Sequence, residues 1–216
     1  MFAVIFDMDG VVFDSVPTLW GGCKEAVAQH GATLTDADLP AYRGLSWKDT
    51  VDKFNRDFNL SILFDDFNRF QIQRELMVSR KGNYLVPGLK SLLSMLREHH
   101  VPLAIGTSSE FNRAEGLLIQ SGVRDFFQAI ASANDATHHK PAPDIFLVAA
   151  QRLNVDPKNC IVIEDGSSGV EAAHCAGMKA IGFAQDETNR AALAKADLVI
   201  RDFSELSYEK LVQLLN

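Results

Sequence analysis

Six short apolar runs, separated by amphipathic stretches, constrain the fold of this chain most. They are Phe2–Phe6, Leu103–Gly106, Phe127–Ile130, Ile161–Ile163, Ala180–Phe183 and Leu198–Ile200. A run that stays apolar, where a half-buried strand would alternate, is the pattern of a parallel strand covered on both faces. Between the runs, Gly88–His99, Phe111–Ser121, Pro143–Leu153 and Ser168–Ala176 carry apolar residues at helical spacing. Strand and helix in alternation predict an α/β fold, a mostly parallel sheet with helices on both faces.

One stretch breaks the alternation. From about Pro17 to about Tyr84 the pattern is helical throughout, over Thr18–His30, Asp36–Tyr42, Trp47–Phe58 and Ile62–Arg80. Phe54, Phe58, Phe64, Phe67 and Phe70 recur there at helix-like separations and predict a helical core. Val86-Pro87-Gly88 punctuates the return to the α/β pattern. The expected organisation is therefore a core of residues 1–16 and 85–216, with an all-helical insertion at 17–84. An insertion between the first two strands of such a sheet is expected to act as a lid.

Size and charge narrow the functional classes. At 216 residues the chain has room for one large domain plus an insertion. A hydrophobic share of 47% with 23% charged residues is that of a globular protein. The net charge is −7, without a block of Lys or Arg, which argues against a nucleic-acid surface. No apolar run reaches the length of a membrane span. Cys23, Cys160 and Cys175 are odd in number and lack a CxxC spacing. They predict reduced, mostly buried thiols of a cytoplasmic protein without a leader peptide.

The chemistry gathers where strands end, the place at which open α/β sheets bind ligands. Asp7 and Asp9 follow the first run, with Gly10 allowing a sharp turn. Two neighbouring acids could be turn residues, or a charged pair that needs a cation. Glu164 and Asp165 follow the fourth run. Four carboxylates from two strand ends make an oxygen-rich site suited to Mg²⁺, and burying them without a cation would be strongly unfavourable. After the second run come Thr107, Ser108 and Ser109. A hydroxyl and free amides ahead of a helix can hold phosphate oxygens, or serve as an ordinary N-cap, for which Ser109 is the candidate. Lys140 stands beside Pro141, with Pro143 following, on a stiffened stem. His138, His139, His174 and Cys175 are expected to be bland.

In this order, Asp7-Met8-Asp9-Gly10-Val11, Thr107, Lys140-Pro141 and Glu164 through Ala173 resemble the four motifs of the haloacid dehalogenase superfamily of phosphohydrolases. The branch it looks most similar to holds β-phosphoglucomutase and small sugar-phosphate phosphatases, and the resemblance spans the whole chain. It implies a Rossmann-like core with a helical cap. It implies Asp7 as nucleophile, forming an aspartyl-phosphate, and Asp9 as the group that protonates the leaving oxygen and then deprotonates water. Mg²⁺ would bind the Asp7 carboxylate, the Asp9 carbonyl and Asp165, with Glu164 direct or through water. Thr107 and the Ser108 amide would hold phosphoryl oxygens, and Lys140 would neutralise charge.

The same resemblance sorts activities. An acid at Asp9 points to phosphate esters, since the dehalogenase branch has none there. A phosphonate-cleaving enzyme would need a cap lysine, with Lys24, Lys48 and Lys53 as candidates. The mutase grips its substrate through a cap Arg, a His and a Lys-Asn pair. This chain has Trp47, Leu19 and Glu110-Phe111 at those places. The expectation is a cytoplasmic, monomeric, Mg²⁺-dependent phosphatase acting on a small sugar phosphate or similar ester, with the mutase as the alternative. A phospho-receiver domain, with similar residues, is disfavoured by the helical insertion. In the insertion Arg43, Gly44, Trp47 and Lys48 are the candidates to face substrate; a Trp anchoring two cap helices is the competing account of Trp47.

Overall fold

The six apolar runs become six parallel strands. They are β1 (Ala3–Phe6), β2 (Leu103–Gly106), β3 (Ala129–Ala131), β4 (Cys160–Glu164), β5 (Lys179–Phe183) and β6 (Leu198–Ile200). The computed structural model describes residues 2–42, 47–79, 84–184 and 187–216. The strands lie in the order β3-β2-β1-β4-β5-β6. In register, Val4 pairs with Leu103 on one side and Ile161 on the other, and Phe6 with Ile105 and Ile163. The chain winds outward from β1 through β2 to β3, then crosses back to β4 on the other side of β1. That reversal opens a crevice at the carboxyl ends of β1 and its neighbours, which are the strand ends that carry the acids, Thr107 and Ser108.

The chain divides into two compact units, Met1–Asp14 with Leu85–Asn216, and Ser15–Tyr84. The second is helical: α1 (Val16–Gln29), α2 (Trp47–Phe58) and α3 (Phe64–Ser79). Its core gathers Cys23, Val27, Val51, Phe54, Ile62 and Phe67, with Phe58, Phe64 and Phe70 packed against it. The side chain of Asn55 closes the loop between α2 and α3, its Oδ1 accepting from Ile62 N at 2.8 Å and its Nδ2 donating to Ile62 O at 2.9 Å. That clasp holds residue 62 out of the helix, which starts at Phe64, two residues later than expected. The helix expected over Asp36–Tyr42 is reduced to one 3-10 turn, Leu39–Tyr42. Thr35 donates through its amide (2.8 Å) and its hydroxyl (2.6 Å) to Asp38 Oδ2, and so folds the segment into a turn.

The remaining helices belong to the sheet unit: α4 (Leu89–Glu98), α5 (Phe111–Gln120), α6 (Asp144–Leu153), α7 (Ser167–Cys175), α8 (Glu187–Ala192) and α9 (Tyr208–Leu215). Helices α6 and α7 cover one sheet face, where Ala3, Ile5, Ala104, Val162, Phe146 and Val170 form one core. Val4, Phe6, Leu103, Ile105 and Ile163 alternate to the other face and are as fully buried. Each such side chain contributes roughly 1.5–3 kcal/mol of transfer free energy. Small residues let the layers close. A Cβ on Gly106 would stand 2.8 Å from the Phe146 ring and 3.2 Å from Ile5. Where the chain leaves and re-enters this unit, Phe13 bridges to Leu85, and Val86 N donates to Val12 O at 3.1 Å. Cys23 and Cys160 are buried and Cys175 is exposed. Among the described residues, no helix is long and apolar enough to cross a membrane.

Candidate active site

Asp7 is the first residue past β1, and its amide extends the ladder by donating to Ile163 O at 2.9 Å. This fixes the backbone at the crevice and leaves the carboxylate buried, its side chain 10% exposed. The loop then doubles back: Val12 N donates to Met8 O at 2.9 Å and Gly10 N to Phe13 O at 2.8 Å. Gly10 sits at φ +84°, and a Cβ there would fall 2.2 Å from Asp165 Oδ2. Glycine is required twice over at this position, for its conformation and for the room it leaves Asp165.

Lys140 reaches the same point from the segment before α6. Its ammonium donates to Asp7 Oδ1 at 2.5 Å, to Glu164 Oε1 at 2.8 Å and to Gly106 O at 3.1 Å. It also lies 4.7 Å from the centre of the Phe146 ring. The other Glu164 oxygen accepts from Gly166 N at 2.6 Å. Here too a glycine leaves room, since a Cβ on Gly169 would stand 1.8 Å from Glu164 Oε1.

Asp7, Glu164 and Asp165 each present a carboxylate oxygen within 4.8 Å of the others. Burial pushes the Asp7 carboxyl up to about 7, against Lys140 and with help from the charges of Glu164 and Asp9. Asp165 is pushed well above the ordinary carboxylate range by burial, then by Glu164 and Asp7. Burial works against the charge on Lys140, but Asp7 and Glu164 outweigh it and hold its pKa above the usual lysine value. One ammonium therefore faces three acids. The donor set is all oxygen, hard, and short of positive charge, and it fits a Mg²⁺-type ion.

Thr107 is anchored like Asp7, its amide donating to Ala131 O at 3.0 Å, and its hydroxyl oxygen accepts from Ser109 N at 3.1 Å. Thr107 is buried and Ser108 exposed. The two share a shallow concavity with Lys140, Ala133, Ala136, His139 and Ile145. Ser109 is not the cap of α5. Glu110 occupies that position, and Asn134 Oδ1 accepts from Phe111 N at 3.0 Å. The Ser109 hydroxyl turns instead to Asp9 Oδ2, at 3.1 Å.

Asp9 carries the main residue missed in the sequence. Arg113 grips its carboxylate with both arms, one nitrogen 2.7 Å from Oδ2 and the other 2.7 Å from Oδ1. A signal existed. Arg113 lies in the first turn of α5, where the helix dipole disfavours a cation, so an arginine there calls for a carboxylate partner. Among the candidates in the helical unit, Arg43 and Gly44 lie outside the described residues. Trp47 is half-buried, its ring 6.0 Å from Trp20 and 5.9 Å from Phe67, the packing of an anchor within that unit. Lys48 is exposed and paired with Asp52 at 2.8 Å.

A family model described as haloacid dehalogenase-like hydrolase matches residues 4–183. The chain belongs to that family. It is 32% identical over 186 residues to the fructose-1-phosphate phosphatase YqaB of Escherichia coli, covering 82% of this chain and 94% of that one. It is 30% identical to the β-phosphoglucomutase of Bacillus subtilis over 223 residues, covering 98% and 94%. A crystal structure of β-phosphoglucomutase from Clostridium difficile superposes with a TM-score of 0.83 at 28% identity, covering 100% of this chain and 97% of that one.

Proposed function

We propose that this protein is a Mg²⁺-dependent phosphatase that hydrolyses a small phosphomonoester, a sugar phosphate or a close analogue, through an aspartyl-phosphate on Asp7. The observation that carries this proposal is the buried Asp7–Lys140–Glu164 chain beside Asp165, with Asp9 two residues further on. Asp7 and Asp165 would hold the ion, with the Asp9 carbonyl. Both oxygens of Glu164 are engaged by Lys140 and Gly166, which favours its acting through water. When bound, the ion supplies the positive charge that lets a carboxylate approach a phosphate ester.

The chain's own groups do the rest. An Asp7 oxygen attacks phosphorus in line as the ester oxygen leaves with a proton from Asp9. Asp9 then takes a proton from the water that attacks the same phosphorus, and Asp7 is released. Such proton transfer contributes on the order of 10²–10⁴ in rate. The Thr107 hydroxyl and the Ser108 amide are assigned to the phosphoryl oxygens, and Lys140 to the charge that gathers on Asp7 and phosphate. Substrate choice is assigned to the helical unit, with Arg43, Gly44 and Lys48 ahead of the packed Trp47.

Hydrolysis is favoured over isomerisation because Glu110-Phe111 supplies an acid and an aromatic ring where a mutase of this branch has Lys-Asn. The likeness to a mutase at 30% identity keeps the second activity in view. Both are tested by incubating the purified protein and Mg²⁺ with fructose 1-phosphate, glucose 1-phosphate and other sugar and polyol phosphates. Release of inorganic phosphate from at least one is the expected result. Conversion of glucose 1-phosphate into its 6-phosphate without phosphate release would overturn the assignment.

A further inference from the structure

We propose that Arg113 is a positioning residue that aims the Asp9 carboxylate to take a proton from the water that attacks phosphorus. This rests on the role given to Asp9 above. Three features of the site carry it. First, the grip is bidentate: both Asp9 oxygens accept from the Arg113 fork at 2.7 Å, which fixes the plane of the carboxylate as well as its place. Second, the contact closes on itself. Arg113 also donates to the Ser109 hydroxyl, which in turn donates to Asp9 Oδ2, so three side chains brace one another. Third, the pair is mostly withdrawn from water, with 17% of the Arg113 and 26% of the Asp9 side chain exposed. An arginine kept for solubility would extend into solvent, away from a helix N-terminus that repels it. The brace ties the loop after β1 to α5, whose approach carries Thr107 and Ser108. One helix thereby sets the distance between Asp9 and the groups assigned to the phosphoryl oxygens.

Lysine could supply the charge but not the planar fork, so the proposal separates geometry from charge. The probe is p-nitrophenyl phosphate with Mg²⁺, whose leaving group departs without a proton. Release of the phenolate in a single turnover reports attack by Asp7. Steady-state turnover also requires Asp9 to take a proton from water as its oxygen bonds to phosphorus and the bond from phosphorus to Asp7 breaks. Arg113→Met is expected to leave the single-turnover phase and kcat/KM near wild type and to lower kcat and KM together, on the order of 10–100-fold. Arg113→Lys should recover part of that loss. If both phases fall together, or kcat is unchanged or higher, Arg113 does not position Asp9. Should Arg113→Met fail to give a cooperative melting transition, Arg113→Lys and Ser109→Ala are put through the same comparison, and the same outcomes decide. Asp9→Asn separates the two claims. If it turns over like wild type, the role of Asp9 fails; if it loses kcat while the Arg113 variants do not, only the positioning proposal fails.

Discussion

At the scale of single residues, the site is a charge imbalance held in place by backbone. Asp7, Glu164 and Asp165 meet one ammonium, from Lys140, while Asp9 is matched separately by Arg113. The imbalance has a sign that can be measured. Burial raises the Asp7 carboxyl from 3.8 to about 7 and raises Asp165 as well. The metal-free fold therefore holds protons that the unfolded chain gives up. Their stabilisation is complete below the unfolded value and is lost as pH rises through about 7. A cation held by these acids would replace those protons, so the rise in melting temperature on replacing chelator with Mg²⁺ should be larger at about pH 7.5 than at about pH 5. Equal rises at both, measured by calorimetry, would contradict this account of the cluster. The acids were legible in the sequence because each pair ends an apolar run. Arg113 was not, because a charged residue on an amphipathic helix is ordinarily solvated, and only its place in the first turn sets it apart.

At the scale of elements, glycines decide how closely helices approach the acids. Gly169 in α7 faces Glu164, and a Cβ there would stand 1.8 Å from Oε1; Gly116 in α5 has nothing within 4 Å. The two make a matched pair. Gly169→Ala must push Glu164 off Lys140 and the Gly166 amide, or lift α7, and overpacking of this kind costs about 1–3 kcal/mol. Gly116→Ala only improves helix propensity and should stabilise by about 0.5–1 kcal/mol. Urea denaturation of the two variants should move in opposite directions, and only Gly169→Ala should lose phosphatase activity. The strands were readable because full burial on both faces leaves an unbroken apolar run. The helical unit was less so. Asp36–Tyr42 has helical periodicity, yet the Thr35–Asp38 side-chain turn captures its first residues. Local hydrogen bonding of this sort competes with the helix in a way that apolar spacing does not reveal.

At the scale of the whole molecule, a strand order that reverses beside β1 gathers residues far apart in sequence: Asp7, Thr107, Lys140 and Asp165 come from four separate segments. Family membership and the parallel sheet follow from the same ordered set of strand ends that the sequence displays. Substrate identity does not, because it is assigned to a helical unit whose apolar pattern encodes packing and leaves its surface chemistry unread; Trp47 turned inward to Trp20 and Phe67 illustrates this. The proposed chemistry requires that Asp7 become phosphorylated in each turnover. Acid quench of the enzyme during steady-state hydrolysis with Mg²⁺, followed by borohydride reduction and peptide mass spectrometry, tests it most directly. The account predicts a phosphoryl group on the peptide holding Asp7, convertible to homoserine at position 7, and its absence in an inactive Asp7→Asn variant. Undiminished turnover by Asp7→Asn, or a phosphoryl group on another side chain in the wild type, would contradict it.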